Sequence, residues 1–112
     1  MIDEATFRRE SDGALELLKQ SLISAEDDSG TFEFEDNKGV MNILFENGSS
    51  KFVITPNTPI RQIWISAQAT SYKLDWNETT HAFTLSKTGE DLKALTQRLL
   101  REHLNDSTIT LP

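Results

Sequence analysis

Cysteine is absent from this 112-residue chain, which excludes disulfides, thiolate metal sites and cysteine nucleophiles. Long apolar runs are absent too, and nothing approaches the roughly 20 residues of a membrane span. The opening Met1-Ile2-Asp3-Glu4 has neither the basic and apolar regions of a secretory signal nor the Arg-rich character of a transit segment. The expectation is a cytoplasmic protein beginning at its natural start. Histidine is scarce: His81 and His103 are far apart, sit in no ligand spacing, and are expected to be surface residues without a role. Serines and threonines are plentiful, but none lies in a nucleophile motif with a base, and no glycine-rich phosphate loop occurs. The chain carries no catalytic constellation of its own.

Positive charge is scarce in the first third. Residues 1 to 36 hold eleven acids against three bases, and the remainder seven acids against eight bases, so the net charge of −7 lies wholly at the front. Such a field repels nucleic acid and anionic membrane, and attracts cations or basic protein surfaces. The length fits one domain over residues 1–112 with a single core.

From about Asp3 to Ala25, apolar residues at Phe7, Ala14, Leu18, Leu22 and Ala25, widened by Leu15, Leu17 and Ile23, predict an amphipathic helix. Gly13 inside it costs about 1 kcal/mol relative to alanine, so close packing or a weak point is expected there. Glu26-Asp27-Asp28-Ser29-Gly30 ends the helix against its dipole. Strands follow. Thr31 to Asp36 alternates Phe32 and Phe34 with Glu33 and Glu35, showing carboxylates on one face. After a turn at Asn37-Lys38-Gly39, Val40 to Phe45 puts Met41, Ile43 and Phe45 inward, and Asn47-Gly48 is a hairpin turn leading to Lys51 to Thr55. Pro56 and Pro59 frame a loop.

The next run, Gln62-Ile63-Trp64-Ile65-Ser66, alternates isoleucine with Gln62 and Trp64. Further strands are expected at Ser71 to Trp76 and Ala82 to Leu85. Thr88 with Asp91 reads as a capping box opening a helix to about His103, with Leu92, Leu95, Leu99 and Leu104 as its stripe. The tail, Asn105 to Pro112, either lies between the helices or frays. The fold class is α+β: a two-layer sandwich with both terminal helices on one face of a five- to six-stranded antiparallel sheet. A second layer over the other face would make Trp64 core. Two helices suffice only for the isoleucine face, so Trp64 and Gln62 are expected on an open one.

Two constellations bear on function. Glu26, Asp27 and Asp28 at the helix end, with Glu33, Glu35 and Asp36 on the adjoining strand, offer hard-oxygen ligands to cations such as ferrous and ferric iron. Without histidine or cysteine such sites are weak. The competing reading is a solvated face that keeps an edge strand from pairing with neighbours.

The second is the order of motifs: Leu44-Phe45-Glu46-Asn47-Gly48-Ser49, Phe52-Val53-Ile54-Thr55-Pro56-Asn57-Thr58-Pro59, Gln62-Ile63-Trp64-Ile65-Ser66, Tyr72-Lys73-Leu74-Asp75-Trp76 and Thr88-Gly89-Glu90-Asp91-Leu92. Together they resemble the frataxin family over most of the chain. The resemblance implies weak binding of Fe2+ and Fe3+ along the acidic ridge just named. It also implies contact with a cysteine desulfurase and the scaffold of iron–sulfur cluster assembly through Gln62, Trp64, Thr55 and Asn57. Without cysteine, the chain holds no cluster itself. Some family members are reported to resemble oligomeric ferroxidases and iron stores, which is one alternative; a metal-independent interaction module is another. A monomer is expected, with an iron-dependent oligomer as the alternative. The chain departs from the family at Lys19, Gln20, Ile23 and Ser24, where bacterial relatives carry acids. It departs again at Thr55 for asparagine, and at Ala69-Thr70-Ser71 where a glycine is usual.

Overall fold

The structure is a computed structural model that describes residues 2–30, 32–45 and 51–112. The elements run α1 (Glu4–Ser29), β1 (Phe32–Asn37), β2 (Val40–Phe45), β3 (Phe52–Asn57), a 3-10 turn (Thr58–Ile60), β4 (Gln62–Ala67), β5 (Thr70–Asn77), β6 (Ala82–Thr84) and α2 (Leu92–Leu104). The strands form one antiparallel six-stranded sheet in chain order, β1 to β6. Both helices cover one face, as the two-layer expectation holds.

Helix α1 starts where Asp3 accepts the Thr6 N–H at 2.7 Å, an N-cap that satisfies one of the free donors of the first turn. It runs one turn beyond the expected Ala25, because Gly30 adopts φ 64° and returns its N–H to the Glu26 carbonyl at 2.9 Å. That left-handed exit is open to glycine at little steric cost. The acids Glu26, Asp27 and Asp28 therefore lie in the helix's last turn rather than after it. Phe7, Leu15, Leu18, Leu22 and Ala25 are buried, whereas Leu17 and Ile23 stand outside the stripe, exposed. Gly13 is not a close-packing site: a side chain there would meet open space.

Phe32, Met41, Ile43, Phe45, Ile54, Ile63, Ile65, Leu74 and Phe83 meet this stripe from the sheet, and Leu95, Leu99 and Leu100 from α2. Phe7 and Phe83 close the seam edge to face at 5.6 Å. The β1–β2 and β4–β5 hairpins turn on two residues each, Lys38-Gly39 and Gln68-Ala69, all four with positive φ. The Asn47-Gly48 hairpin lies outside the described residues.

Three further expectations need correction. Pro56 is part of β3, opposite Ile63 of β4, rather than a loop residue. It falls past the last β2 pair, Met41 with Ile54, where a missing N–H leaves no ladder bond to β2 unmade. The cap of α2 is Asp91, which accepts the Ala94 N–H at 2.8 Å. Thr88 instead belongs to the preceding turn, bonded to Glu90, because Gly89 with φ 79° cannot continue a helix. His103 is half-buried rather than a surface residue, its ring 4.1 Å from that of Phe45 and 5.3 Å from that of Phe52.

The C-terminal tail docks between the helices. Ile109 and Leu111 are buried. Arg101 Nε donates to the Ile109 carbonyl at 2.6 Å, the Leu111 N–H to Gln97 Oε1 at 2.9 Å, and Ser21 Oγ to the Pro112 carbonyl at 2.6 Å.

Candidate partner-binding surface and acidic edge

The sheet register gathers the sequence-picked polar residues on the face away from the helices. Thr55 of β3 pairs with Trp64 of β4, and Asn57 with Gln62, so the four make two adjacent rungs. Residues two apart on a strand share a face. The rungs continue onto β5, where Trp64 pairs with Lys73 and Gln62 with Asp75.

The side chains on these rungs are tied together. Asp75 Oδ1 accepts from Gln62 Nε2 at 2.9 Å, and Gln62 Oε1 accepts from Trp64 Nε1 at 2.8 Å. A carboxylate only accepts and an indole N–H only donates. The Gln62 amide can satisfy both in a single orientation, and the indole is thereby fixed across the sheet. The Lys73 ammonium sits 5.0 Å from the centre of the Trp64 ring, within cation–π range. Thr55, Asn57, Gln62 and Trp64 are all half-buried, covered by each other rather than by a second layer. A preorganised aromatic with a fixed polar surround can meet a partner without first giving up side-chain freedom. Lys73 and Asp75 belong to the Tyr72–Trp76 motif but are not among the expected contact residues. The signal for them was the β4–β5 register, hidden by a two-residue turn lacking glycine.

The acidic residues point in several directions. Glu33 and Glu35 lie on the open face of β1, opposite Leu44 and Asn42 of β2. Asp36 lies on the helix side, where Lys19 of α1 pairs with it at 3.2 Å. Glu26 reaches across to accept the backbone N–H of Phe34 at 2.5 Å. Strand β1 is an edge strand, so this carboxylate covers a main-chain donor that would otherwise invite another strand. Asp27 and Asp28 are exposed in the last turn of α1.

All donors in this set are hard oxygens, which suits iron, but they do not converge. Among the described residues, no group of three or more His, Cys, Asp or Glu is placed to hold a metal ion. Two of the six carboxylates are already engaged, one by an ammonium and one by a peptide N–H. The edge thus fits a diffuse attraction for cations better than a closed metal centre. No helix among the described residues is long and apolar enough to cross a membrane.

The model of the frataxin-like domain matches residues 1–106. The iron-sulfur cluster assembly protein CyaY of Pseudomonas paraeruginosa is 30% identical over 89 residues, covering 79% of this chain and 82% of that protein. The CyaY protein of Azotobacter vinelandii is 27% identical over 90 residues, 80% of this chain and 81% of that one. Among solved structures, the frataxin of Psychromonas ingrahamii superposes with a TM-score of 0.72 at 18% identity, over 98% of this chain and 96% of that one. That structural likeness supports the two-layer fold alone. The family match and the Pseudomonas relative lead to one conclusion: the chain belongs to the frataxin-like family.

Proposed function

We propose that this chain is an accessory protein of iron–sulfur cluster assembly that docks on a cysteine desulfurase and its scaffold through the open face of the sheet. The observation that carries this reading is the bonded set Asp75–Gln62–Trp64, which holds an indole in one pose on an uncovered surface. The relatives named for iron–sulfur cluster assembly support the pathway.

The acidic first third has a separate task. Long-range attraction from Asp27, Asp28, Glu33 and Glu35 draws a basic partner surface or ferrous iron toward the β1 edge, and Trp64 then sets the lifetime of the contact. Iron in this reading is a weakly held cargo, met by single or paired carboxylates. The dispersed geometry also favours a second reading, in which the acids serve protein docking alone and iron plays no part.

Titration calorimetry against the purified desulfurase–scaffold complex separates these. Trp64→Ala should weaken binding by at least about 30-fold, the loss of a 2 kcal/mol anchor. Asp75→Ala, which frees the Gln62 amide, should weaken it by a smaller factor. Equal affinity of wild type and Trp64→Ala would refute sheet-face docking. Affinity that falls with salt yet ignores chelator and ferrous iron would select the metal-independent reading.

A further inference from the structure

Between the two helices, beside the docked C-terminal tail, an open groove of about 1110 Å³ remains, with Pro112 at its edge. The tail shows how this groove holds a chain. Ile109 and Leu111 point in and are buried while Thr110 and Pro112 stay exposed, the alternation of an extended segment. Side chains of both helices bond its backbone, Gln97 and Arg101 from α2 and Ser21 from α1. Pro112 itself lines the open remainder.

Beyond Pro112 the floor is apolar: Ala14 and Leu18 of α1, Phe83 of β6 and Leu92 of α2. Leu17 stands on the rim, 73% exposed, and adds its apolar surface to that of the floor. The charged rim residues are Glu10, Glu16 and Asp91 against Lys93. From Ser21 back to Glu10 the helix rises roughly 16 Å at its usual pitch, which is room for about five extended residues.

We propose that this open groove is a second docking site, on the opposite side of the sandwich from Trp64, for an extended partner segment that alternates apolar with basic residues. The apolar positions follow the pattern set by Ile109 and Leu111, and the basic positions complement the acidic rim. The site does not depend on the reading of the sheet face. Because the two surfaces lie on opposite faces of the sandwich, both can be occupied at once.

The probe is a labelled pentapeptide alternating lysine and leucine, with a glutamate–leucine twin as control, titrated into isotopically labelled full-length protein. Amide shifts should cluster at Gly13, Leu17 and Ala82. The melting temperature should rise with peptide concentration, and the lysine peptide should bind at least about tenfold tighter than its twin. Gly13→Leu supplies the decisive variant. A Cβ at this position meets nothing within 4 Å and the residue lines the groove, so a leucine there takes up groove space while replacing a helical glycine, which favours the helix. It should weaken binding at least about tenfold with the spectrum otherwise intact. Shifts centred on Trp64 or on β1, equal binding of the two peptides, or unchanged affinity in Gly13→Leu would each overturn the proposal. So would groove shifts that track protein concentration without peptide, since they would assign the groove to a second copy of the chain.

Discussion

Trp64 illustrates what a single residue does here. Its alternation with Ile63 and Ile65 placed it on the sheet, and the presence of only two helices placed it on the open face. Its fixed pose, however, comes from Asp75, thirteen positions away from Gln62 and adjacent only through the β4–β5 register. Side-chain bonds of that kind leave no local trace in a sequence. The turn that sets the register is itself a residue-scale feature. Ala69 adopts φ 63°, a left-handed conformation in which its Cβ crowds the following carbonyl. Ala69→Gly should raise stability by about 1 kcal/mol, read as a higher urea midpoint with an unchanged slope; a lower midpoint would mean that the turn is not strained.

At the scale of elements, helix and strand identities followed from periodicity, while boundaries moved wherever a cap decided them. Gly30 lengthened α1 and Gly89 delayed α2, because a left-handed glycine sets a terminus more sharply than the apolar stripe does. The acidic stretch was legible as composition but not as geometry. The pleat sends Glu33 and Glu35 to one face and Asp36 to the other, and Glu26 is drawn to the Phe34 N–H. The tail's fate was equally undecidable from sequence, since eight residues with two apolar side chains fit docking or fraying. Docked, it makes Leu111 part of the core. Leu111→Ala should cost about 2 kcal/mol, at the low end for a buried leucine because the tail can shift. An unchanged unfolding midpoint would show that the tail adds nothing to stability.

The approach to α2 carries the clearest pH signature. Arg98 bonds Glu90 at 2.8 and 2.9 Å, which holds the Glu90 carboxyl below its ordinary value of 4.5 and pushes the Arg98 guanidinium up. A carboxyl depressed on folding contributes stability above its unfolded value and loses it as pH falls through the folded one. Both side chains are partly exposed, 21% for Glu90 and 38% for Arg98, so the contribution is under about 1 kcal/mol. The stability gap between wild type and Glu90→Gln should therefore be present at pH 7 and close as pH drops below about 4.5. A gap that widens on acidification would contradict the assignment.

Considered whole, the molecule is a polarised sandwich. The helix layer carries the groove and the docked tail, the sheet layer carries Trp64, and six acids, Glu26, Asp27, Asp28, Glu33, Glu35 and Asp36, lie where α1 meets β1. The net charge of −7 arises wholly before residue 37, along α1 and β1, which favours encounter of a basic surface with those two elements. The order of motifs made the family and the two-layer fold legible. What remained hidden was how far the carboxylates disperse, which bears directly on how iron would be held.

Desulfurase turnover on its scaffold tests this division of labour most directly. The rate would be measured without the chain and then with wild type, with Trp64→Ala, and with Asp27, Asp28, Glu33 and Glu35 neutralised together, each with and without ferrous iron. Wild type should change the rate. Trp64→Ala should abolish the effect at any salt concentration, and the neutralised variant should weaken it most at low salt. Turnover that is the same with wild type, with either variant and with no added chain would contradict a role for these two surfaces in cluster assembly.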